Sequence, residues 1–520
     1  MSSKRSKSTH ETEAELREQL REALVQRDEW ERKYHQATHA YTALLERVDA
    51  LLRNRFGRRS ERFKDVDDPQ RWLFDEALTE RGSARTADVV DIAAYRRKRR
   101  RQCQFPLSLP RVEVLVPVED AHRHCGCGAE KVVINHATHE RLHYVPPIYE
   151  VHVEKREVVA CPRRCTGEVR TAAKPAHILP KSKMTEGLLA HIITAKLDDR
   201  QPLYHLEKQL QGRFGGGLSR LTMARAVIGT HEALQPLVNL LKDEVIGYDV
   251  GAFDATGLRV LKPDVSGTPV YCFRGGPPER AVVVYDYIPF EPGRMLEEWF
   301  EGFTGTLHCD AQPLFDRVLS QQAIRASYCN AHARRKFEPI ARASQGEGLA
   351  VEALRWYKRM YAVERVATRE RMTPEQRHAL RQSHAKPILE EFKDWLDDGV
   401  LAVPPKSSLG KAFHYVVSHW EGLCTYLCDG RIEIDNNLTE QQIKAFVIAR
   451  KNFLFADTDA GARALCAHFS LLRTAKQHGL EPYRYFLHIL REVPHCRGVE
   501  DFEALLPWRV GVNALNRHAA

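Results

Sequence analysis

The sequence predicts a multidomain α+β chain: a mixed α/β core carrying a helical insertion, preceded by a long N-terminal helix, a small zinc-ribbon-like module and a helix-turn-helix region. Three observations carry this prediction. From Glu11 to Leu52 apolar residues recur at helical spacing with no proline or glycine. Between Arg111 and Ala173 short β-type runs stand beside close cysteine pairs. From Val245 onward, strands in series give way to strand-helix alternation. At 520 residues the chain exceeds one compact core, so several folding units are expected.

The first unit, residues 1–63, places Leu16, Leu20, Leu24, Trp30, Tyr34, Tyr41, Leu44, Val48 and Leu51 on a narrow apolar seam. Such a seam pairs with a second copy in a coiled coil or folds back on its own chain, and a homo-oligomer is the reading taken. Phe56-Gly-Arg-Arg-Ser-Glu-Arg62 ends it with a cluster of cations. Residues 64–110 have little periodicity and contain Tyr95-Arg-Arg-Lys-Arg-Arg-Arg101, so they read as a basic linker that serves as a solvated tether, a phosphate binder, or both.

In 111–175, Val112–Val116 and Tyr149–Val153 read as strands. Cys125 and Cys127 stand at one end, Cys161 and Cys165 at the other. Two close pairs around a hairpin-length segment point to a structural Zn²⁺. The spacings are Cys-x-Cys and Cys-x3-Cys, where a ribbon wants two intervening residues. His124 restores that spacing with Cys127 and could replace Cys125, and reduced structural cysteines remain the alternative.

Charge is a weaker guide, because 78 Lys+Arg against 69 Asp+Glu leaves only +9, and the clustering says more than the total. No apolar run is long enough to cross a bilayer, and Met1-Ser-Ser-Lys-Arg-Ser-Lys-Ser lacks the apolar stretch of a signal peptide. A cytoplasmic chain without membrane partners is expected, its cysteines reduced or metal-bound.

Residues 176–242 read as helical. Thr185–Lys196 and Pro202–Leu210 carry the period. After Arg213-Phe-Gly-Gly-Gly217 a new helix opens at Leu218–Val227, with Ser219 as its N-cap. Arg220 and Arg225 near that start fit a helix-turn-helix that reads the major groove of double-stranded DNA, and plain helix packing is the competing view.

The core is expected in 243–330 and 431–490, split by a helical insertion at 331–430 and followed by a tail at 491–520. Val245–Val260, Val270–Phe273, Ala281–Tyr285 and Gly305–Asp310 read as strands, with a helix over Glu291–Phe303. Asp254 and Asp310 fall in strands. Carboxylates on adjacent strands with a third from a facing helix are what two-metal nucleotidyl transfer needs, since hard oxygen ligands must converge on ions about 4 Å apart. Glu440, in the first turn of a helix after Ile434-Asp-Asn-Asn-Leu-Thr, is a candidate third ligand. Lys444 lies one turn on, and Arg450 and Lys451 beyond are further phosphate candidates. Each acid alone also reads as a turn, cap or helix-start residue, and Asp249, Asp286 and Asp435 compete. In the insertion, Arg355-Trp-Tyr-Lys-Arg359 and Glu390–Trp395 are amphipathic, while His332, Arg334, Arg335 and Lys336 at its entry could contact DNA ends.

The chain resembles the insertion sequence sixty-six family of bacterial DDE transposases, in order and over nearly its whole length. The resemblance rests on Phe56–Arg62, the cysteine module, Leu203-Tyr-His-Leu-Glu207, Cys329-Asn-Ala-His-Ala-Arg-Arg-Lys-Phe337, Asp435-Asn-Asn-Leu-Thr-Glu440, Arg450-Lys-Asn-Phe-Leu-Phe455, Asp459-Ala-Gly461 and Leu505-Leu-Pro-Trp508. It implies an RNase H-like core, with Asp254, Asp310 and Glu440 as the acids that hold Mg²⁺ or Mn²⁺. It also implies cleavage at the element's 3′ ends followed by strand transfer. The implied partners are terminal repeats, target DNA and small accessory proteins of the same element. Two departures stand out: Ala255-Thr256-Gly257 where the family has Glu-Thr-Pro, and the cysteine spacings. The rival readings are a nuclease or resolvase that cuts without joining, and a silent DNA-binding remnant.

Overall fold

The computed structural model describes residues 149–160, 169–215, 218–262, 264–321, 323–344 and 347–511, with 18, 21, 127, 130 and 515 singly. The chain divides into two compact units, one of residues 60–174 and one of residues 1–59 with 175–520. Apart from residues 18 and 21 the long N-terminal helix lies outside the described residues, as do the basic linker, Val112–Val116, His124, Cys125, Cys161 and Cys165. Cys127 is exposed.

In the smaller unit β1 (Val158–Ala160) pairs antiparallel with β2 (Val169–Thr171), Val158 opposite Thr171. Tyr149–Val153, expected as a strand, is irregular, with Val151 90% exposed. Alternation becomes a strand only where a neighbour takes its N–H and C=O groups, and among the described residues no strand does.

The larger unit opens with α1 (Glu186–Leu197), whose N-cap Thr185 accepts from Leu188 N, and α2 (Leu203–Phe214), which ends on Gly215 in the left-handed region at φ 72°. Next comes α3 (Arg220–Ile246), capped by Ser219 accepting from Thr222 N. This helix swallows Val245 and Ile246, which the sequence reading gave to the first strand. The reason is periodic: Leu234, Leu237, Val238, Leu241 and Val245 continue one buried stripe until Gly247 ends it.

The sheet follows as β3 (Val250–Lys262), β4 (Asp264–Gly275), β5 (Val282–Tyr287), β6 (Gly305–Cys309) and β7 (Ile324–Tyr328), with α4 (Pro292–Trp299) before β6. Their spatial order is β5-β4-β3-β6-β7. The first two pairings are antiparallel and the last two parallel. The long β3 is therefore central. At its start Gly305, at φ 139°, lies so close to Asp249 that a Cβ would sit 2.1 Å from the Asp249 carbonyl oxygen.

Between β7 and the rest of the sheet unit runs an all-helical stretch: α5 (Asn330–Ala343), α6 (Leu349–Arg369), α7 (Pro374–Leu380), a π turn at Arg381–Ala385, α8 (Lys386–Ala402) and α9 (Ser408–Ser418). It has its own apolar core around Phe337, Tyr357, Phe392 and Phe413. The chain then returns through α10 (Asn437–Phe453), β8 (Ala456–Thr458), which pairs with β3, α11 (Asp459–Gln477) and α12 (Pro482–Glu492). Among the described residues no helix is long and apolar enough to cross a membrane.

Helix α11 covers the sheet, and its Ser470 and Thr474 hydroxyls bond the backbone of β5 at Tyr285 and Val283. Its His468 is fully buried, with Nε2 2.9 Å from Thr230 Oγ1 on α3, and burial pushes its pKa down to about 4. The unfolded chain binds this proton near 6.5 and the folded chain does not. Stability from His468 is therefore present above pH 6.5 and lost as pH falls toward 4, up to about 3 kcal/mol. Urea unfolding at pH 7 and pH 5 should show that loss, and His468→Gln should flatten it.

Candidate active site

Asp254 and Asp310 are brought together by strand register. Ala252 on β3 is opposite His308 on the parallel neighbour β6, so each acid stands two residues further along its own strand path. Asp254 lies within β3. Asp310 lies one residue beyond β6 rather than inside it, where the chain leaves the sheet. Asp310 at the carboxyl end of a parallel strand stands where ligands enter open α/β sheets, with Asp254 beside it in the body of β3.

Glu440 arrives from α10, which is tied down by Asn436. The Asn436 amide donates to Phe253 O on β3 at 3.0 Å, and its backbone N–H reaches Cys329 Sγ at 3.1 Å. Asn330 N donates to Ile434 O, joining the start of α5 to the irregular segment that leads into α10. The polar cluster expected to cap α10 thus divides its work. Asn436, at the N-cap, spends its side chain on β3, and Asp435 accepts the Asn437 N–H instead.

Two residues of α5 complete the cluster. His332 Nδ1 is 2.7 Å from Asp310 Oδ1 and 3.9 Å from Glu440 Oε1. The 2.7 Å approach is not aligned as a hydrogen bond, and both atoms are buried without a hydrogen-bond partner. Arg335 donates Nη1 and Nη2 to the two oxygens of Glu440, each at 3.3 Å, and Nη1 is also 3.0 Å from His332 Nε2. Both residues were expected at the entry of the insertion as DNA contacts. The structure turns them onto the acids. The motif from Cys329 to Phe337 carried that signal, since positions 332 and 335 are one helical turn apart on a face aimed at Asp310.

The electrostatics follow from crowding. Asp254 has its carboxyl raised to about 7, first by desolvation and then by the negative charge of Asp310, with the Ala255 N–H opposing and Glu440 adding to the rise. His308, fully buried with Nδ1 2.8 Å from Ser327 Oγ, is pushed down to about 4 by burial and stays neutral beneath the site. The Cys329 thiol is pushed well up by burial, so it remains a thiol that accepts from Asn436.

Close carboxylates, one of them holding a proton near neutrality, and two orphaned buried donor atoms fit a divalent cation. Asp310, Cys329 and His332 each place a ligand atom within 4.8 Å of the others. A cation bound to Asp254 must displace its proton. Apparent metal affinity should then fall toward tenfold per pH unit below about 7, measurable as a smaller metal-induced rise in Tm at pH 6 than at pH 8.

The competing acids are engaged elsewhere. Asp249 takes both Nη groups of Arg431 at 2.7 and 2.8 Å, Asp286 sits on the outer strand β5 opposite Tyr271, and Asp435 accepts from Tyr361 OH at 2.8 Å. Lys444 and Lys451 are exposed on α10, and Arg450 Nη1 reaches to 3.5 Å from Thr256 Oγ1 on β3. Arg220 and Arg225 are exposed on the first turns of α3, in a helix pair apart from the acids, with the Arg220 guanidinium 6.0 Å from the Tyr204 ring. The structure brings together Asp254, Asp310 and Glu440 and leaves those two arginines elsewhere.

A mixed sheet flanked by helices is consistent with a transposase catalytic domain. Comparison with known proteins names the family. The model described as Transposase IS66 family matches residues 181–464, the IS66 C-terminal element matches 470–508, and the model described as Transposase C of IS166 homeodomain matches 43–114. The chain belongs to the IS66 family of transposases.

Relatives in Sinorhizobium fredii include the uncharacterized protein y4jD, 30% identical over 425 residues, covering 78% of this chain and 81% of that one. The uncharacterized protein y4qI is 29% identical over 90% of this chain and 89% of its own length, and y4hP is 26% identical over 90% and 88%.

Proposed function

We propose that this transposase cuts the 3′ ends of its element and joins the freed hydroxyls to target DNA, with Asp254, Asp310 and Glu440 holding Mg²⁺ or Mn²⁺. The observation that carries this reading is the convergence of three carboxylates from β3, the end of β6 and α10, where burial and then the charges of Asp310 and Glu440 raise Asp254 to about 7. The sheet order β5-β4-β3-β6-β7, antiparallel then parallel, supports the RNase H-like reading of the core.

Bound cations neutralise the scissile phosphate and acidify the attacking water or 3′-hydroxyl. The protein's part is placement. Strand register sets Asp254 beside Asp310, and the Asn436 bond to β3 sets the reach of Glu440. Lys444, Arg450 and Lys451 follow Glu440 along α10 and are suited to the phosphates of the bound strand. The rival nuclease reading predicts cleavage alone. Supplying a pre-cut element end with Mg²⁺ and a target duplex should give joined product, and hydrolysis without joining would favour the rival.

DNA recognition is assigned to α2, the glycine turn and the start of α3, and to the basic stretch covered by the homeodomain match at 43–114. If Arg220 and Arg225 read the terminal repeat, replacing both by Ala should weaken repeat binding by about 1–3 kcal/mol each. Unchanged binding in a gel-shift titration would move the reading to 43–114. Self-association through the N-terminal helix, accessory proteins of the element and a structural Zn²⁺ at Cys127, Cys161, Cys165 and either Cys125 or His124 complete the proposal.

A further inference from the structure

We propose that His332 is a nitrogen ligand of the catalytic cation and that Arg335 holds the cation's place until it enters. This rests on the metal-holding role of Asp310 proposed above.

The argument begins with the two orphaned atoms. A histidine and a carboxylate 2.7 Å apart in a buried setting ordinarily share a proton along a straight line. Here Nδ1 and Oδ1 are that close without the alignment, and neither has another hydrogen-bond partner. Two buried polar atoms without a hydrogen-bond partner, one on a side chain only 11% exposed, thus lie side by side, with Glu440 Oε1 3.9 Å from Nδ1. A cation seated between them satisfies both atoms at once.

The guanidinium of Arg335 is the positive charge that touches Glu440 and His332. It takes both oxygens of Glu440 and donates to His332 Nε2. That donation keeps Nε2 an acceptor and leaves the ring proton on Nδ1. Metal on Nδ1 requires the opposite tautomer, with the proton on Nε2, where it would face the Nη1 hydrogens of Arg335. Glu440 likewise cannot offer both oxygens to arginine and serve the metal. One movement resolves both conflicts: Arg335, 35% exposed and at the rim, swings away as the ion arrives. The ring proton changes nitrogen with no net release.

A mixed nitrogen and oxygen donor set also has a chemical preference. Imidazole suits Mn²⁺ and later divalent ions better than Mg²⁺, so the site should bind Mn²⁺ more tightly than Mg²⁺.

The test uses the full chain with Mn²⁺ alone and electron spin-echo modulation as readout. Wild type should show nitrogen-14 modulation from a directly bound imidazole, and His332→Gln should lose it. Arg335→Gln, which removes the competing charge, should bind Mn²⁺ about 5- to 10-fold tighter, in the range of a partly buried ion pair. Mn²⁺ bound in an Asp310-dependent way without nitrogen modulation would overturn the ligand assignment and leave the carboxylate reading standing. Unchanged or weaker Mn²⁺ affinity in Arg335→Gln would overturn the placeholder role. Mn²⁺ binding indifferent to Asp310→Asn would instead sink the carboxylate site itself.

Discussion

Asp310→Asn should abolish metal-dependent cleavage while leaving the fold and terminal-repeat binding intact. The substitution keeps the shape of the side chain and removes its charge. Asp310 is buried, with Oδ1 unpaired and facing His332, so an amide there forfeits a cation ligand without breaking a hydrogen bond on which the fold depends. Removing a single preorganised charge-stabilising group costs roughly 10²–10³-fold in rate, and the loss of a metal ligand should exceed that. The same change relieves a like charge beside Asp254, whose carboxyl is raised partly by Asp310, so the variant's Asp254 should titrate lower. Cleavage at wild-type rate by a folded Asp310→Asn would end the triad assignment. Loss of repeat binding together with cleavage would show instead that the variant had misfolded.

The second large effect is on stability and lies in the helical stretch. Arg381, wholly buried in the π turn, donates to both oxygens of Glu364 at 2.7 and 2.8 Å and to the carbonyls of Tyr426, Asp429 and Ile432. It joins α6 to the segment that leads into Asp435–Glu440. Arg381→Met should cost about 3–5 kcal/mol, because it strands a buried carboxylate and several carbonyls at once. Glu364→Leu combined with Arg381→Met should recover part of that loss, since an apolar pair removes the stranded charge. Urea unfolding of the single and double variants checks this. A single variant within about 1 kcal/mol of wild type would mean that water replaces the guanidinium.

Much of the site was legible in the chain, for identifiable reasons. Asp254 and Asp310 stood out because strand periodicity placed each in a strand, and the resemblance through Asp435–Phe455 singled out Glu440. The helix cap at Ser219 was legible because a hydroxyl ahead of an apolar period has a local job. Other readings failed where a decision was not local. Val245 follows the helix because its stripe continues from Leu241, and Tyr149–Val153 is irregular, with no strand paired to it among the described residues.

The sequence by itself determined the acidic and basic residue types, their order, and the helical or extended character of most segments, since these depend on neighbours within a few positions. Only the tertiary structure decided which acids meet. Asp249, Asp286 and Asp435 were equal candidates by spacing. They are set apart because Arg431, the outer strand and Tyr361 claim them through contacts between residues far apart in the chain. The same holds for His332 and Arg335, whose places on the acids follow from α5 starting where β7 ends, beside β6. Strand register and helix docking are properties of the packed whole, and no window of sequence contains them.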